Sequence, residues 1–223
     1  MLSYLGVFLV SLMCLGEVGL NRPLTIENWG EEIEMNCFNI MTLADRYGNQ
    51  VDQYVELDPS VIGYDELRYL TILHYGYDSY LYQGELIVNK SVAEEVLAIF
   101  QELYAIGYPI EKMHVMSCYD GDDEASMMAN NSSAFNFRYV TNGGKLSKHA
   151  YGLAIDLNPL VNPYVKADVV LPATGVPYLN RNQCVLGMIK KNDVVYKIFT
   201  RYGWSWGGDW TSLKDYQHFE KAN

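Results

Sequence analysis

Two segments in the first half of the chain have the composition of β-strands. Residues 67–75 and 80–88 are rich in β-branched, aromatic and leucine side chains. Between them lies Gly76-Tyr77-Asp78-Ser79, a sequence typical of a turn. The pattern therefore predicts two strands joined by a short turn. His74 lies in the first strand, and we interpret it as structural because a single histidine in a strand is more often part of the core than a ligand.

After residue 90 the hydrophobic period changes to that of an amphipathic helix. Ser91 and Glu94 have the spacing of a capping box, which would begin the helix, and Gly107 followed by Pro109 would end it. The apolar stripe of this helix would consist of Ala93, Val96, Leu97, Phe100, Leu103 and Tyr104.

The rest of the chain predicts shorter elements. The stretch from 159 to 183 contains several prolines, which predict a long loop. Loops of this length often form the lid or the rim of a functional site. Residues 21–60 are weakly periodic, and we expect a linker with irregular structure or a short helix near 33–47. The remaining pattern predicts strands over 113–118, 130–140 and 153–157, and helices over 122–129 and from Asp193 to Tyr202.

The N-terminus carries an apolar run from Leu5 to Leu15, with no charged residue before Glu17. This length is typical of the hydrophobic region of a secretory signal peptide, and it is shorter than the about 20 apolar residues of a membrane span. We expect a signal peptide or an N-terminal anchor over residues 1–20. The alternative is a buried N-terminal helix.

Composition and charge narrow the class of protein. A chain of 223 residues with 49% hydrophobic residues can bury one full core. The formal net charge of −11 disfavours a nucleic-acid partner, because binding phosphates requires clustered Lys and Arg. It disfavours electrostatic binding to anionic lipids for the same reason. The chain has 19 tyrosines, a residue type that suits partly solvated surfaces such as substrate grooves.

Two distant segments carry residue types that bind metal ions. Residues 147–156 read SKHAYGLAID and contain His149 and Asp156, while residues 215–220 read DYQHFE and contain Asp215 and His218. Catalytic zinc takes three protein ligands and leaves one position for water, and two imidazoles with one carboxylate supply such a set. We predict that His149, Asp156 and His218 bind one Zn²⁺. Asp215, three residues before His218, would then act as general base and general acid.

The segment 130–140 predicts one wall of a cleft. Read with the period of a strand, it places Phe135, Phe137 and Tyr139 on one face and Asn136 and Arg138 on the other. A guanidinium on such a face can hold a carboxylate with two parallel hydrogen bonds. Arg138 is therefore a candidate for binding a substrate carboxylate, and the alternative is an exposed, solvated side chain.

These motifs resemble those of a known family. SKHAYGLAID matches the Ser-x-His-x-x-Gly-x-Ala-x-Asp signature of the zinc D-Ala-D-Ala carboxypeptidases, a family that also contains L-alanyl-D-glutamate endopeptidases. The sequence GWSWGGDW at 203–210, followed by DYQHFE, resembles the closing motif of the endopeptidase-like branch, and SSAFNFR at 132–138 resembles the segment that carries a substrate-binding Arg. Carboxypeptidase members often have Glu-x-Trp-His where this chain has Asp215-Tyr216-Gln217-His218, and this difference leaves open which bond is cleaved.

The resemblance implies an α+β fold in which a small antiparallel sheet carries the zinc site and helices flank it. It implies His149, Asp156 and His218 as ligands, Asp215 as base, and Arg138 and Ser147 as substrate contacts. We divide the chain into the leader or anchor at 1–20, the linker and irregular segment at 21–60 and the catalytic domain at 61–223.

The resemblance also implies a substrate and a place of action. The substrates would be peptidoglycan stem peptides, cleaved by a D-Ala-D-Ala carboxypeptidase or an L-Ala-D-Glu endopeptidase outside the cytoplasm. We expect a monomer. The alternatives are an inactive zinc-structural or cell-wall-binding module, and a zinc hydrolase with a non-peptide substrate.

Overall fold

The computed structural model describes residues 37–140 and 144–222. The leader or anchor predicted at 1–20 lies outside the described residues. Within the described ranges, no helix has both the length and the apolar character required to cross a bilayer. The division of the chain at residues 20 and 60 stays a prediction.

The structure consists of short helices and small sheets. The strands are β1 (Asn39–Thr42), β2 (Leu67–Tyr75), β3 (Leu81–Asn89), β4 (Lys112–Met113), β5 (Asn131–Ser132), β6 (Ala154–Asp156), β7 (Tyr164–Lys166), β8 (Val169–Leu171), β9 (Ser205–Trp206), β10 (Lys214–Asp215) and β11 (His218–Glu220). The α-helices are α1 (Leu43–Tyr47), α2 (Val51–Tyr54), α3 (Ala93–Ala105), α4 (Asp123–Met128) and α5 (Val194–Arg201).

The hairpin of β2 and β3 forms the centre of the first sheet, as predicted. β1 pairs with the outer edge of β2, so the strand order is β1-β2-β3 and all pairs are antiparallel. Leu70 and Ile72 face a core that contains α3, whereas Leu67 and Tyr69 face a second core with α1. Burial on both faces explains the nearly continuous apolar sequence of β2. Part of the segment expected to be a linker is thus built into this sheet.

Helix α3 has the predicted apolar face but begins differently. Its buried residues are Ala93, Val96, Ile99, Phe100 and Leu103. The N-cap is Val92, which makes no side-chain capping bond, so the predicted capping box of Ser91 and Glu94 is wrong. The reason is local competition, because the Ser91 hydroxyl donates instead to the Asn89 side chain at 2.8 Å.

Two of the predicted strands are largely irregular. The stretch 113–118 contains only the end of β4, followed by a 3₁₀ turn over Met116–Tyr119. The stretch 130–140 is extended, yet only Asn131 and Ser132 belong to a strand, because its backbone groups bond to several different partners. Phe135 N–H donates to Ile87, and Asn136 N–H donates to His149. The predicted alternation of faces therefore fails at Asn136, which is buried, and at Tyr139, which is exposed.

The predicted loop over 159–183 has more structure than expected. It contains the antiparallel pair β7-β8, to which β10 adds as the third strand, and a 3₁₀ segment over Ala173–Tyr178. The Arg181 guanidinium donates to the backbone carbonyls of Val161 at 2.7 Å and Ile189 at 2.8 Å. It also donates to the Asn162 side chain at 2.6 Å. These bonds hold the segment against the body of the protein.

A third sheet, with strand order β6-β11-β9, occupies the C-terminal half of the molecule. One of its faces is apolar, with Ile155, Phe219 and Trp206 all buried, and Phe219 stacks on Phe199 of α5 at a centroid distance of 3.9 Å. The predicted helix from Asp193 is observed as α5, with the Asp193 side chain accepting from the Tyr196 N–H. Small antiparallel sheets flanked by helices confirm the predicted α+β class.

Candidate metal centre

The register of β6 and β11 brings two of the predicted ligands together. These strands pair antiparallel, with His218 opposite Asp156 and Phe219 opposite Ile155. Because side chains alternate along a strand, Phe219 and Ile155 enter the core while His218 and Asp156 share the other face. The apolar face of the same sheet thereby fixes the position of both polar side chains.

His149 reaches this face from a 3₁₀ turn that precedes β6. The turn covers Lys148–Tyr151, and the Ser147 side chain caps it by accepting from the His149 N–H at 3.3 Å. Gly152 ends the turn with a φ of +65°. A Cβ at this position would lie 2.5 Å from the backbone nitrogen of Asn89. The glycine of the signature thus allows a left-handed turn to pass close to β3.

The ligand atoms of His149, Asp156 and His218 converge on one point. His149 Nε2 lies 3.2 Å from His218 Nδ1 and 3.1 Å from Asp156 Oδ2. His218 Nδ1 lies 2.9 Å from Asp156 Oδ1. Three ligands about 2.0–2.1 Å from a zinc ion in tetrahedral arrangement are about 3.3 Å apart, so the spacing and the donor types fit Zn²⁺. Among the described residues, this is the group of His, Cys, Asp and Glu side chains that could hold a metal ion, and all three members are buried. His74 and His114 lie outside it.

Without a metal ion, the electrostatics of the three groups are strongly coupled. Burial would raise the pKa of Asp156, but the two imidazoles outweigh it and hold that pKa well below its usual range. Burial would lower the pKa of His218, but hydrogen bonds to Asp156 and Glu220 outweigh it and raise that pKa to about 10. A metal ion needs the ionised carboxylate and neutral imidazoles, so its binding would displace the proton of His218.

Asp215 lies at the end of β10, opposite Tyr164 of β7. Its Oδ1 atom is buried and makes no hydrogen bond to any described residue. Burial raises the pKa of this carboxyl to about 7, with the Asp156 carboxylate adding to the effect and His218 and Arg138 opposing it. Asp215 is therefore a half-buried acid near the three ligands, with one buried oxygen that bonds to no described residue, and such a carboxyl with a raised pKa has the character of a general base or acid.

Arg138 is neither free nor solvated. Its guanidinium forms an ion pair with Asp123 at 3.1 Å, and both side chains are about a quarter exposed, at 24% and 29%. Asp123 is the first residue of α4, whose N-cap is Asp122. The charges of Arg138 and Asp123 both affect the pKa of Asp215, so the ion pair lies near the proposed base. The interpretation of Arg138 as a solvated side chain is wrong.

Ser147 has a structural position. It is buried, and its hydroxyl oxygen is the capping acceptor for the turn that carries His149. Its predicted contact with substrate stays a prediction.

Two carboxylates outside the predicted site, those of Glu220 and Asp123, contact predicted site residues. Glu220 shares the polar face of β11 with His218, and its Oε2 lies 3.2 Å from His218 Nε2. The alternation of side chains along a strand could have indicated this contact, because Glu220 is two residues after His218. The pairing of Asp123 with Arg138 has no local sequence signal. The Trp210 ring lies 5.4 Å from the His218 ring, so the aromatic segment 203–210 borders the site.

Two imidazoles and a carboxylate beside an unpaired acid define a candidate mononuclear metalloenzyme centre. Residues 141–221 match the family model described as D-alanyl-D-alanine carboxypeptidase. This range contains both ligand segments and Asp215, and the match confirms the resemblance to this family of zinc peptidases. No solved structure matches the chain.

Proposed function

We propose that the protein is a zinc-dependent peptidase that hydrolyses peptidoglycan stem peptides. The observation that carries the proposal is the Asp215 carboxyl, whose buried Oδ1 atom bonds to no described residue, beside three converging ligand atoms. A purely structural zinc site has four closed ligands and no need of a base. The family match supports a peptidase that acts on cell-wall peptides.

His149, Asp156 and His218 would hold the ion. A bound Zn²⁺ would polarise the scissile carbonyl and lower the pKa of a bound water to about 7. Asp215 would accept the proton that water loses as its oxygen bonds to the carbonyl carbon. It would then donate this proton to the amine that leaves as the C–N bond breaks.

Arg138 would bind a carboxylate of the substrate. The D-Ala-D-Ala terminus and D-Glu both carry a free carboxylate next to the bond that would be cut. A guanidinium can hold such a group with two hydrogen bonds and fix the register of the peptide. Asp123 already holds Arg138 at the edge of the site, so the guanidinium is positioned before substrate binds.

The environment of the enzyme follows from the same reasoning. A net charge of −11 is consistent with a protein that does not bind nucleic acid or anionic lipid surfaces. We propose that it acts outside the cytoplasm, whether secreted, periplasmic or wall-associated, where assembled peptidoglycan lies. We propose that the protein acts there as a monomer.

Mass spectrometry of purified muropeptides after incubation tests the function and identifies the bond. Loss of one alanine from a pentapeptide stem means a carboxypeptidase, whereas separation of L-Ala from D-Glu means an endopeptidase. We expect the chelated protein to be inactive and one equivalent of Zn²⁺ to restore hydrolysis.

The variant Asp215→Asn separates the enzyme from an inactive module. We expect it to bind one zinc ion, as the wild type does, and to lose hydrolysis. If the zinc-loaded wild type cleaves no stem peptide and only binds peptidoglycan, the proposal of a peptidase is wrong and the wall-binding module replaces it.

A further inference from the structure

The ring of His218 is held from both sides. Its Nδ1 faces Asp156 Oδ1 at 2.9 Å, and its Nε2 faces Glu220 Oε2 at 3.2 Å. Glu220 is half-buried and does not belong to the group of converging ligand atoms. Its carboxylate contacts the back of the His218 ring and not the metal position. Its contact with His218 is therefore separate from the ligand set.

A neutral imidazole that binds a metal through one nitrogen carries its proton on the other. For His218, Nδ1 is the nitrogen that points to His149 and Asp156, so Nε2 must carry the proton. A carboxylate that accepts this N–H fixes both the tautomer and the ring orientation. Glu220 has the position and the charge to do so.

His149 has the same arrangement with a different acceptor. Its Nε2 points to the metal position, while its Nδ1–H donates to the Ala134 carbonyl at 2.5 Å. That carbonyl belongs to the extended segment that Ser133 anchors to Asp156 through two backbone hydrogen bonds of 3.0 and 2.9 Å. Each imidazole thus has an acceptor behind it, and only that of His218 is a side chain.

The strand pairing explains why Glu220 has room beside His218. Glu220 is opposite Ala154 on β6 and Ser205 on β9, so both of its cross-strand neighbours are small. The Glu220 carbonyl also accepts from the Ser205 hydroxyl at 3.2 Å. The backbone of this residue is therefore fixed in the centre strand of the sheet, and its side chain lies on the polar face, where it reaches His218.

We propose that Glu220 is a positioning residue of the metal centre, which keeps the proton of His218 on Nε2 and presents Nδ1 to the metal ion. This inference rests on the metal-binding part of the proposed function and not on its substrate. Replacing an acceptor behind a ligating histidine typically weakens metal binding by about 10- to 100-fold.

Zinc affinity, measured by competition with a chromophoric chelator, tests the proposal in three variants. We expect Glu220→Ala to bind zinc about 10- to 100-fold more weakly than the wild type. We expect Glu220→Gln to lose clearly less, because the amide oxygen still accepts from Nε2–H. The matched control is Glu102→Ala, which removes a carboxylate that bonds Arg201 and Tyr202 away from the site; its zinc affinity should equal that of the wild type.

Long-range ¹H–¹⁵N spectra of the zinc-loaded proteins add a readout that a general loss of stability would not change. The wild type and Glu220→Gln should show His218 bound through Nδ1 and protonated at Nε2, and Glu220→Ala should show a mixture of rings bound through Nδ1 and rings bound through Nε2. Zinc affinity of Glu220→Ala within twofold of the control, or an unchanged His218 spectrum, would overturn the proposal. If the wild type binds zinc with this Glu220 dependence but cleaves no peptide, the proposed activity fails and the positioning role remains.

Discussion

Replacement of Asp215 by Asn should stabilise the metal-free protein while it removes activity. Burial raises the pKa of this carboxyl to about 7 in the folded protein, against about 3.9 in an unfolded chain. The ionised carboxylate is therefore disfavoured by folding, and Oδ1 has no hydrogen bond to offset the lost hydration. Asn has the same shape without the charge.

The sign and the size of the effect follow from proton linkage. Below about pH 4 the carboxyl is protonated in both states and costs nothing. Between pH 4 and pH 7 the unfolded state ionises first, so the wild type loses stability as the pH rises, and above pH 7 the loss is complete. The difference of about three pKa units corresponds to about 4 kcal/mol. Because Asp215 is only half-buried, we expect about half of this, roughly 2 kcal/mol at pH 8.

The assay is denaturant unfolding in excess chelator at pH 5 and pH 8. Asp215→Asn should be more stable than the wild type at pH 8, with a smaller difference at pH 5. The matched control is Asp209→Asn. Burial would raise the pKa of Asp209, but hydrogen bonds from Lys191 and Tyr196 outweigh it and lower that pKa, so this variant should lose stability instead. If Asp215→Asn is no more stable than the wild type at pH 8, the carboxyl is not desolvated and the argument for a base poised near pH 7 is refuted.

Other variants test the supports of the site and of the core. A Cβ on Gly207 would lie 2.6 Å from the Asp215 carbonyl oxygen, so Gly207→Ala should lower hydrolysis by about 100-fold, whereas Gly144→Ala, with open space around its Cβ, should change it less than twofold. Arg181→Lys cannot reproduce the planar set of hydrogen bonds, and we expect a loss of about 3 kcal/mol in the free energy of unfolding. Burial lowers the pKa of His74 to about 4, so the wild type should lose about 3 kcal/mol as the pH falls from 6.5 to 4. His74→Phe should remove this slope in denaturant titrations, and an unchanged slope would contradict the assignment to His74.

The sequence predicted those elements whose own side chains determine their structure. The β2-β3 hairpin consists of two segments rich in β-forming residues around a turn, and helices α3 and α5 each have a clear hydrophobic period followed by a glycine. The prediction of a strand over 113–118 failed because the backbone there bonds to a side chain and not to a neighbouring strand. The His114 N–H donates to Asn131 Oδ1 at 2.8 Å, and the Asn131 amide donates back to the His114 carbonyl at 3.0 Å. Such an exchange leaves no periodic signal in the sequence.

The same distinction applies to the site. His149, Asp156, His218 and Asp215 lie in two local motifs, and their residue types alone indicated a metal centre. The pairing of Arg138 with Asp123 depends on how α4 packs beside an extended segment, which no spacing in the sequence encodes. The predicted ligands do converge, and their roles as ligands and base stay predictions until the metal-bound protein is measured.

The pairing of β6 with β11 limits where this protein can change in length. One residue inserted or deleted in either strand would exchange the two faces, so that Phe219 would point toward solvent and His218 into hydrocarbon. Insertions should be tolerated better at the exposed turn between β7 and β8, at residues 167–168, because β7 itself pairs with the strand that carries Asp215. Libraries intended to alter substrate preference should vary that turn and leave the three-residue strands untouched.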